Sequence, residues 1–142
     1  MQQVSFEEVL EIILSKDARY HRDAYFFLRE ALDHTHTAMG KETRSGQNRH
    51  VTPAQLLEGI REFALEQYGP MALTVLAEWN IRSCKDFGEI VFIMVEHSLL
   101  AKTEKDSRED FEGGYDFYEA FRKPFLPQSS IDSTKNSVKL KP

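Results

Sequence analysis

Apolar residues recur at intervals of three and four through most of the chain, the period of helices with one buried face. Phe6, Val9, Leu10, Ile13 and Leu14 mark the first stretch, over about 6–15, with Ser5 and Glu8 spaced as a capping box at its start. A second stretch runs from Tyr20 to Met39. It has Ala24, Phe27, Leu28, Ala31 and Leu32 on one face, widened by Tyr25 and Phe26, and Gly40 is its expected end. The clearest helix start is Val51-Thr52-Pro53-Ala54-Gln55-Leu56. Thr52 caps, Pro53 fits the first helical position, Gln55 reaches back to Thr52, and Val51 staples onto Leu56. This third helix spans 53–68, with Leu56, Leu57, Ile60, Phe63, Ala64 and Tyr68 inward, and Gly69-Pro70 stops it. Gly69-Pro70 also opens a fourth helix, packed through Met71, Leu73, Val75, Leu76 and Trp79, with Asn80 as a left-handed stop.

Ser83 and Asp86 begin a fifth helix expected to reach Lys102. Its stretch Ile90 to Val95 is apolar all round, which places it at the centre of the fold with Val91 and Met94 buried. The same six residues favour strands. The length of the element, its Ser83 cap and the lack of a partner strand decide for helix. Residues 103–114 are polar and acidic and end in a Gly113-Gly114 hinge, and a short helix follows at 115–123. Pro124 and Pro127 then interrupt the chain. Residues 128–142 offer only Ile131, Val138 and Leu140 as apolar groups, too few to offset the entropy of ordering them. Residues 40–50 contain no apolar residue and read as a loop. The expectation is an all-α, single-domain bundle of five to six helices over 1–127, with a disordered C-terminal tail at 128–142.

The charge distribution limits what such a bundle can bind. The formal net charge is −5. The positive excess sits in 41–51 and in the tail, so the body is acidic. An acidic body argues against a broad phosphate-binding surface and hence against nucleic acid. The longest apolar run has six residues against the ~20 of a membrane span, and no signal-peptide pattern opens the chain. A soluble cytoplasmic protein with no membrane attachment is expected.

Chemical motifs are sparse. Asp86-Phe87-Gly88 spells the magnesium-binding triplet of protein kinases, without the Gly-rich and catalytic loops that would give it meaning. Asp86 is better read as a first-turn acid at a helix N-terminus. His34 and His36 stand two apart, roughly 200° around a helix, so they do not share a metal, and His21, His50 and His97 show no ligand spacing. Cys84, the one cysteine, excludes an internal disulfide. Its place at a helix start would lower its pKa, the best single argument for a nucleophile, set against a small buried hydrophobe. Glu58, Glu62 and Glu66 share a face, but without the Glu-x-x-His motifs of di-iron bundles they read as a solvated acidic face. No catalytic, cofactor or metal site is expected.

The richest segment is 110–125, where Phe111, Tyr115, Phe117, Tyr118, Phe121 and Phe125 are interleaved with Asp110, Glu112, Asp116 and Glu119. Most of these rings are expected to dock on the body. Tyr115 or Tyr118 is the expected partner contact, each joining an apolar ring to a polar tip.

Three segments together carry a resemblance: Tyr20 to Leu32; His50 to Asn80, with Leu57-Glu58-Gly59-Ile60 and Gln67-Tyr68-Gly69; and Asp86 to Phe92 followed by Asp110-Phe111 and Tyr115-Asp116-Phe117. Over about 5–125 the chain resembles a small family of planctomycete and verrucomicrobial bacterial proteins to which no activity is assigned. The resemblance implies a bacterial cytosolic setting and transfers no site residue. The family pattern leads one to expect Gly where this chain has Asn80. The leading function is a non-catalytic interaction module or small-oligomer subunit. The alternative is a small-ligand-binding protein or enzyme with a pocket between helices.

Overall fold

The computed structural model describes residues 5–42, 51–100 and 107–127. Within them the chain is all-α, as the periodicity predicts. Five helices, α1 (Phe6–Lys16), α2 (Arg22–Glu42), α3 (Pro53–Tyr68), α4 (Ala72–Glu78) and α5 (Cys84–Glu96), enclose one apolar core. Short irregular turns follow at Arg108–Phe111, Tyr118–Arg122 and Lys123–Phe125. The expected disordered tail and most of the polar 40–50 loop lie outside the described residues.

Local chemistry sets the helix starts. The Glu8 N–H donates to Ser5 Oγ and the Ser5 N–H donates back to Glu8, each at 3.1 Å. Thr52 and Gln55 repeat the exchange at 3.1 and 3.0 Å. These bonds satisfy N–H groups that the first turn of a helix leaves unpaired. α2 starts two residues later than its apolar pattern, because His21 caps it: Nδ1 accepts from the Asp23 N–H at 3.0 Å. Gly40 does not end α2, which continues to Glu42. A glycine inside a helix costs only about 1 kcal/mol relative to alanine, too little to stop it.

Two helices end in the same way. Asn80 is left-handed (φ 70), with the Ile81 N–H donating to Leu76 O and the Asn80 N–H to Ala77 O, both at 2.9 Å. Ser98 is left-handed (φ 63), with the Leu99 N–H on Met94 O at 2.8 Å and the Ser98 N–H on Val95 O at 3.0 Å. Both are Schellman caps. The second stops α5 at Glu96, six residues short of the expected Lys102, which itself lies outside the described residues.

The centre of the bundle is α2 against α3, with α5 across α2. Close approach of α2 and α3 depends on Gly59: a Cβ there would overlap the Thr35 side chain, whose hydroxyl donates to Ala31 O at 2.8 Å. α5 is central as expected: Met94 is fully buried and Val91 is 9% exposed, while Phe92 and Val95 stay partly accessible. Met71 departs from expectation. The apolar pattern packs it inward, yet it is 55% exposed, because Gly69–Met71 forms a tight 3₁₀ turn before α4 rather than its first turn.

Candidate functional site

The segment 107–127 forms a strap rather than a regular helix. The expected helix at 115–123 is replaced by a wide π-type turn, Tyr118–Arg122, running into a 3₁₀ turn that contains Pro124. The Ser107 N–H donates to Asp110 Oδ2 at 2.9 Å and starts the Arg108–Phe111 turn. Phe111 then drops into a hole on α5 made by Gly88, where a Cβ would lie 2.8 Å from Phe111 Cβ. At Gly114 a Cβ would lie 2.7 Å from Cys84 Sγ and 2.9 Å from Leu57 Cδ1. Gly114 is thus a point of close contact with α3 and α5, not the free hinge expected from the Gly-Gly pair.

Tyr115 fixes the next step. Its N–H donates to Cys84 Sγ at 3.4 Å and its hydroxyl donates to Leu57 O at 2.7 Å. Phe117 and Phe121, four residues apart, turn inward together. Their rings meet edge to face at 5.1 Å, and Phe117 lies 5.4 Å from Phe87. Edge-to-face pairs add roughly 0.5–1.5 kcal/mol beyond area burial. Tyr118 and Phe125 face the other way and are 51% and 42% exposed. Of the two tyrosines expected to touch a partner, Tyr118 is presented to solvent, whereas Tyr115 is half-buried with its hydroxyl bonded to the body.

Charge clamps the start of the strap. Arg108 stands 3.6 Å from Glu89 and 3.5 Å from Glu96, with its guanidinium over the Phe92 ring. Glu89 also faces Arg19 at 3.5 Å, and Arg19 forks onto Asp17. The Arg19 hydrogen bond holds the Asp17 carboxyl below its ordinary range. Exposed pairs of this kind contribute at most about 1 kcal/mol each, so the rings hold the strap and the charges set its register.

The remaining sequence candidates resolve into structural roles. Cys84 begins α5 but is buried, and burial pushes its thiol up, opposed by its hydrogen bonds to Tyr115. The lowered pKa expected of a helix start is overridden, and the nucleophile reading loses its basis. In the kinase-like triplet, Asp86 accepts from the Arg82 N–H (2.8 Å), the Ser83 N–H (3.2 Å) and the Tyr20 hydroxyl (2.7 Å). Phe87 is core and Gly88 is the hole for Phe111. His34 reaches across to α3, with Nε2 3.5 Å from Glu62 and Nδ1 4.0 Å from Glu66, while Glu58 forks onto Arg61 on its own helix. The two glutamates address opposite nitrogens of His34, so the three do not converge on one point. His36 is exposed, and His50 lies outside the described residues. Among the described residues no set of three His, Cys, Asp or Glu side chains is arranged to hold a metal ion, and no helix is long and apolar enough to cross a membrane.

Four of the five tyrosines hold their protons more tightly than free phenols. Burial is the main cause in each. For Tyr20 the hydrogen bond to Asp86 adds to it. Tyr25 is fully buried with no hydrogen-bond partner for its hydroxyl among the described residues, and is pushed up to about 12. A raised phenol pKa means that the unfolded chain loses its proton first. Stability is therefore full below about pH 10, the ordinary phenol value, and falls as pH rises from there through the folded values. We expect the tyrosinate absorbance of these four side chains to rise only together with loss of helical circular dichroism above that pH. Four tyrosines titrating near pH 10 with the helices intact would contradict the burial.

Compared with protein-family models, with curated proteins and with solved structures, the chain matches none.

Proposed function

We propose that this protein is a non-catalytic interaction module that docks a protein partner through the outer face of its strap. One observation carries the reading. Of six aromatic rings between 111 and 125, Phe111, Phe117 and Phe121 are buried and Tyr115 is tied to Leu57, while Tyr118 and Phe125 stand in solvent. The inward rings make the strap rigid, so the outward pair is held ready at small entropic cost to binding. The strap packs on α4, and the exposed Met71 lies in the 3₁₀ turn that precedes that helix. Aromatic residues and methionine are enriched at the centres of protein interfaces, where a polar-tipped ring such as tyrosine serves as an anchor. The setting we propose is the cytoplasm, where a lone thiol stays reduced. The acidic body disfavours nucleic acid as the partner.

The test is the double variant Tyr118→Ser/Phe125→Ser, followed by light scattering, recovery of partner in a pull-down and thermal melting. Loss of association with the melt unchanged is the expected result. Collapse of the melt, or association that survives both substitutions, contradicts the reading.

A further inference from the structure

We infer that the aromatic face shared by α2, α3 and the end of α4 binds a small quaternary ammonium compound of the choline type. None of the strap's rings takes part, so this site and the docking face stand or fall separately. Four rings meet there. Phe27 on α2 is buried, and its ring lies 5.5 Å from Phe63, 6.2 Å from Tyr68 and 5.5 Å from Trp79. Those three are only partly covered. Tyr68 and Trp79 stand at 82° to each other with centroids 5.9 Å apart, and so form a corner. The charge around it is one-sided. Asp23, Phe27, Glu30 and His34 follow at helical spacing along one face of α2, with Asp23 and Glu30 exposed. Burial first, and then the negative charges of Glu30 and Asp23, raise the Tyr68 phenol pKa, so both carboxylates act on that ring. His34 lies 5.5 Å from Phe63 and faces the exposed Glu62 and Glu66. Among the described residues no Lys or Arg is paired with any of these four carboxylates, whose partners are the imidazoles of His21 and His34. From Glu62 to Ile81 the chain has no Lys or Arg. Arg22 and Arg29 of α2 turn to α1, onto Glu11 and over Phe6. Arginines cover the rings of Tyr20, Phe26, Phe6 and Phe92, but among the described residues none covers Phe63, Tyr68 or Trp79. Ring faces inside a negative field attract a cation, and tryptophan is the best ring for it. A small hard ion does not fit, because no three carboxylate, imidazole or thiol groups among the described residues are arranged to hold one. A protein partner does not fit either, because three part-covered rings offer far less than the roughly 800 Å² per side of a standard interface. A trimethylammonium head group is small, charged and apolar at its surface, and meets every condition.

Trp79 is the only tryptophan of the chain, so intrinsic fluorescence reports this corner. The full chain is titrated with choline chloride at about pH 8, above the ordinary imidazole value of ~6.5, with sodium chloride holding the ionic strength constant. Saturation-transfer NMR follows the choline methyl protons in parallel. Saturable binding is expected, with a dissociation constant of roughly 1 mM, the scale of a few cation–π contacts. The neutral alcohol in which carbon replaces the choline nitrogen has the same shape and should bind at least about tenfold more weakly, because the attraction to the rings needs the charge. Tyr68→Leu should weaken choline binding at least about fivefold. Asp23→Asn/Glu30→Gln should weaken it about three- to fivefold, whereas Glu7→Gln/Glu109→Gln, an equal change of net charge on exposed residues elsewhere, should leave it within about twofold. Melting curves confirm that each variant is folded, and if Tyr68→Leu is not, the two neutralised pairs still decide. No binding by either readout up to about 100 mM choline would overturn the inference. So would equal affinity for the neutral alcohol, which would make the face merely apolar, and so would equal losses from the two neutralised pairs, which would reduce the effect to the attraction of any cation by an acidic protein. A trimethyl-lysine peptide binding at least about tenfold more tightly than choline would make the occupant a peptide and overturn the small-molecule assignment.

Discussion

Gly88→Val should cost about 2–4 kcal/mol, at the upper end of what overpacking a close-packed site does. By helix propensity alone the substitution should help, since glycine is the poorest residue after proline for a helix interior. Packing reverses the sign. The first added carbon would sit 2.8–3.0 Å from the Cβ, Cγ and Cδ1 atoms of Phe111, whose own side chain is buried. Phe111 then has to leave its hole, and the strap loses its first anchor. For a chain of this length the melting temperature should fall by roughly 10 °C. Gly40→Ala provides the control. Gly40 lies inside α2 with no atom within 4 Å of a built Cβ, and alanine there should stabilise by up to about 1 kcal/mol. Thermal melts of the two variants moving in opposite directions would confirm that Gly88 is a packing residue. A Gly88→Val protein as stable as the parent would show that the strap is not docked on α5.

Val91→Asp should be worse, at about 3–5 kcal/mol, a large share of the ~5–15 kcal/mol that holds a domain of this size together. Val91 lies on α5, the central helix, and is 9% exposed. An aspartate there would be a carboxylate without a partner. Ile12→Asp, on a largely exposed side chain of α1, should stay within about 0.5 kcal/mol. Denaturant unfolding of both variants decides the matter. Comparable losses from the two would remove α5 from the centre of the fold.

The parts of this fold that were legible in the sequence are those fixed by neighbours in the chain. The capping boxes at Ser5 and Thr52 involve groups three residues apart, so their letters suffice. Asn80 signals a left-handed turn by its residue type, and Ser98 adopts the same turn without any such signal, so the end of α5 is missed. Gly40 and Gly88 look alike on paper. One is a neutral position in a long helix and the other is the hole for Phe111, twenty-three residues away. The strap was visible as an aromatic concentration but not as a shape, because its 3₁₀ and π-type turns have no period to read. Nor does local sequence separate Tyr115 from Tyr118. The first is held by the Leu57 carbonyl and the thiol of Cys84, partners supplied by α3 and α5. Cys84 shows the same dependence: its helix-start position favours the thiolate, and burial disfavours it, outweighing the hydrogen bonds to Tyr115.

The central claim is that the strap faces two ways, with its inner rings holding the fold and Tyr118 meeting a partner. The most direct measurement places a photoreactive phenylalanine at position 118 in the native cell, with the same group at position 12 as an equally exposed control. The expected result is one discrete cross-linked species from position 118, lost when Phe125→Ser is added, and none from position 12. Equal labelling from both positions, or a product from position 118 indifferent to Phe125, would contradict the claim.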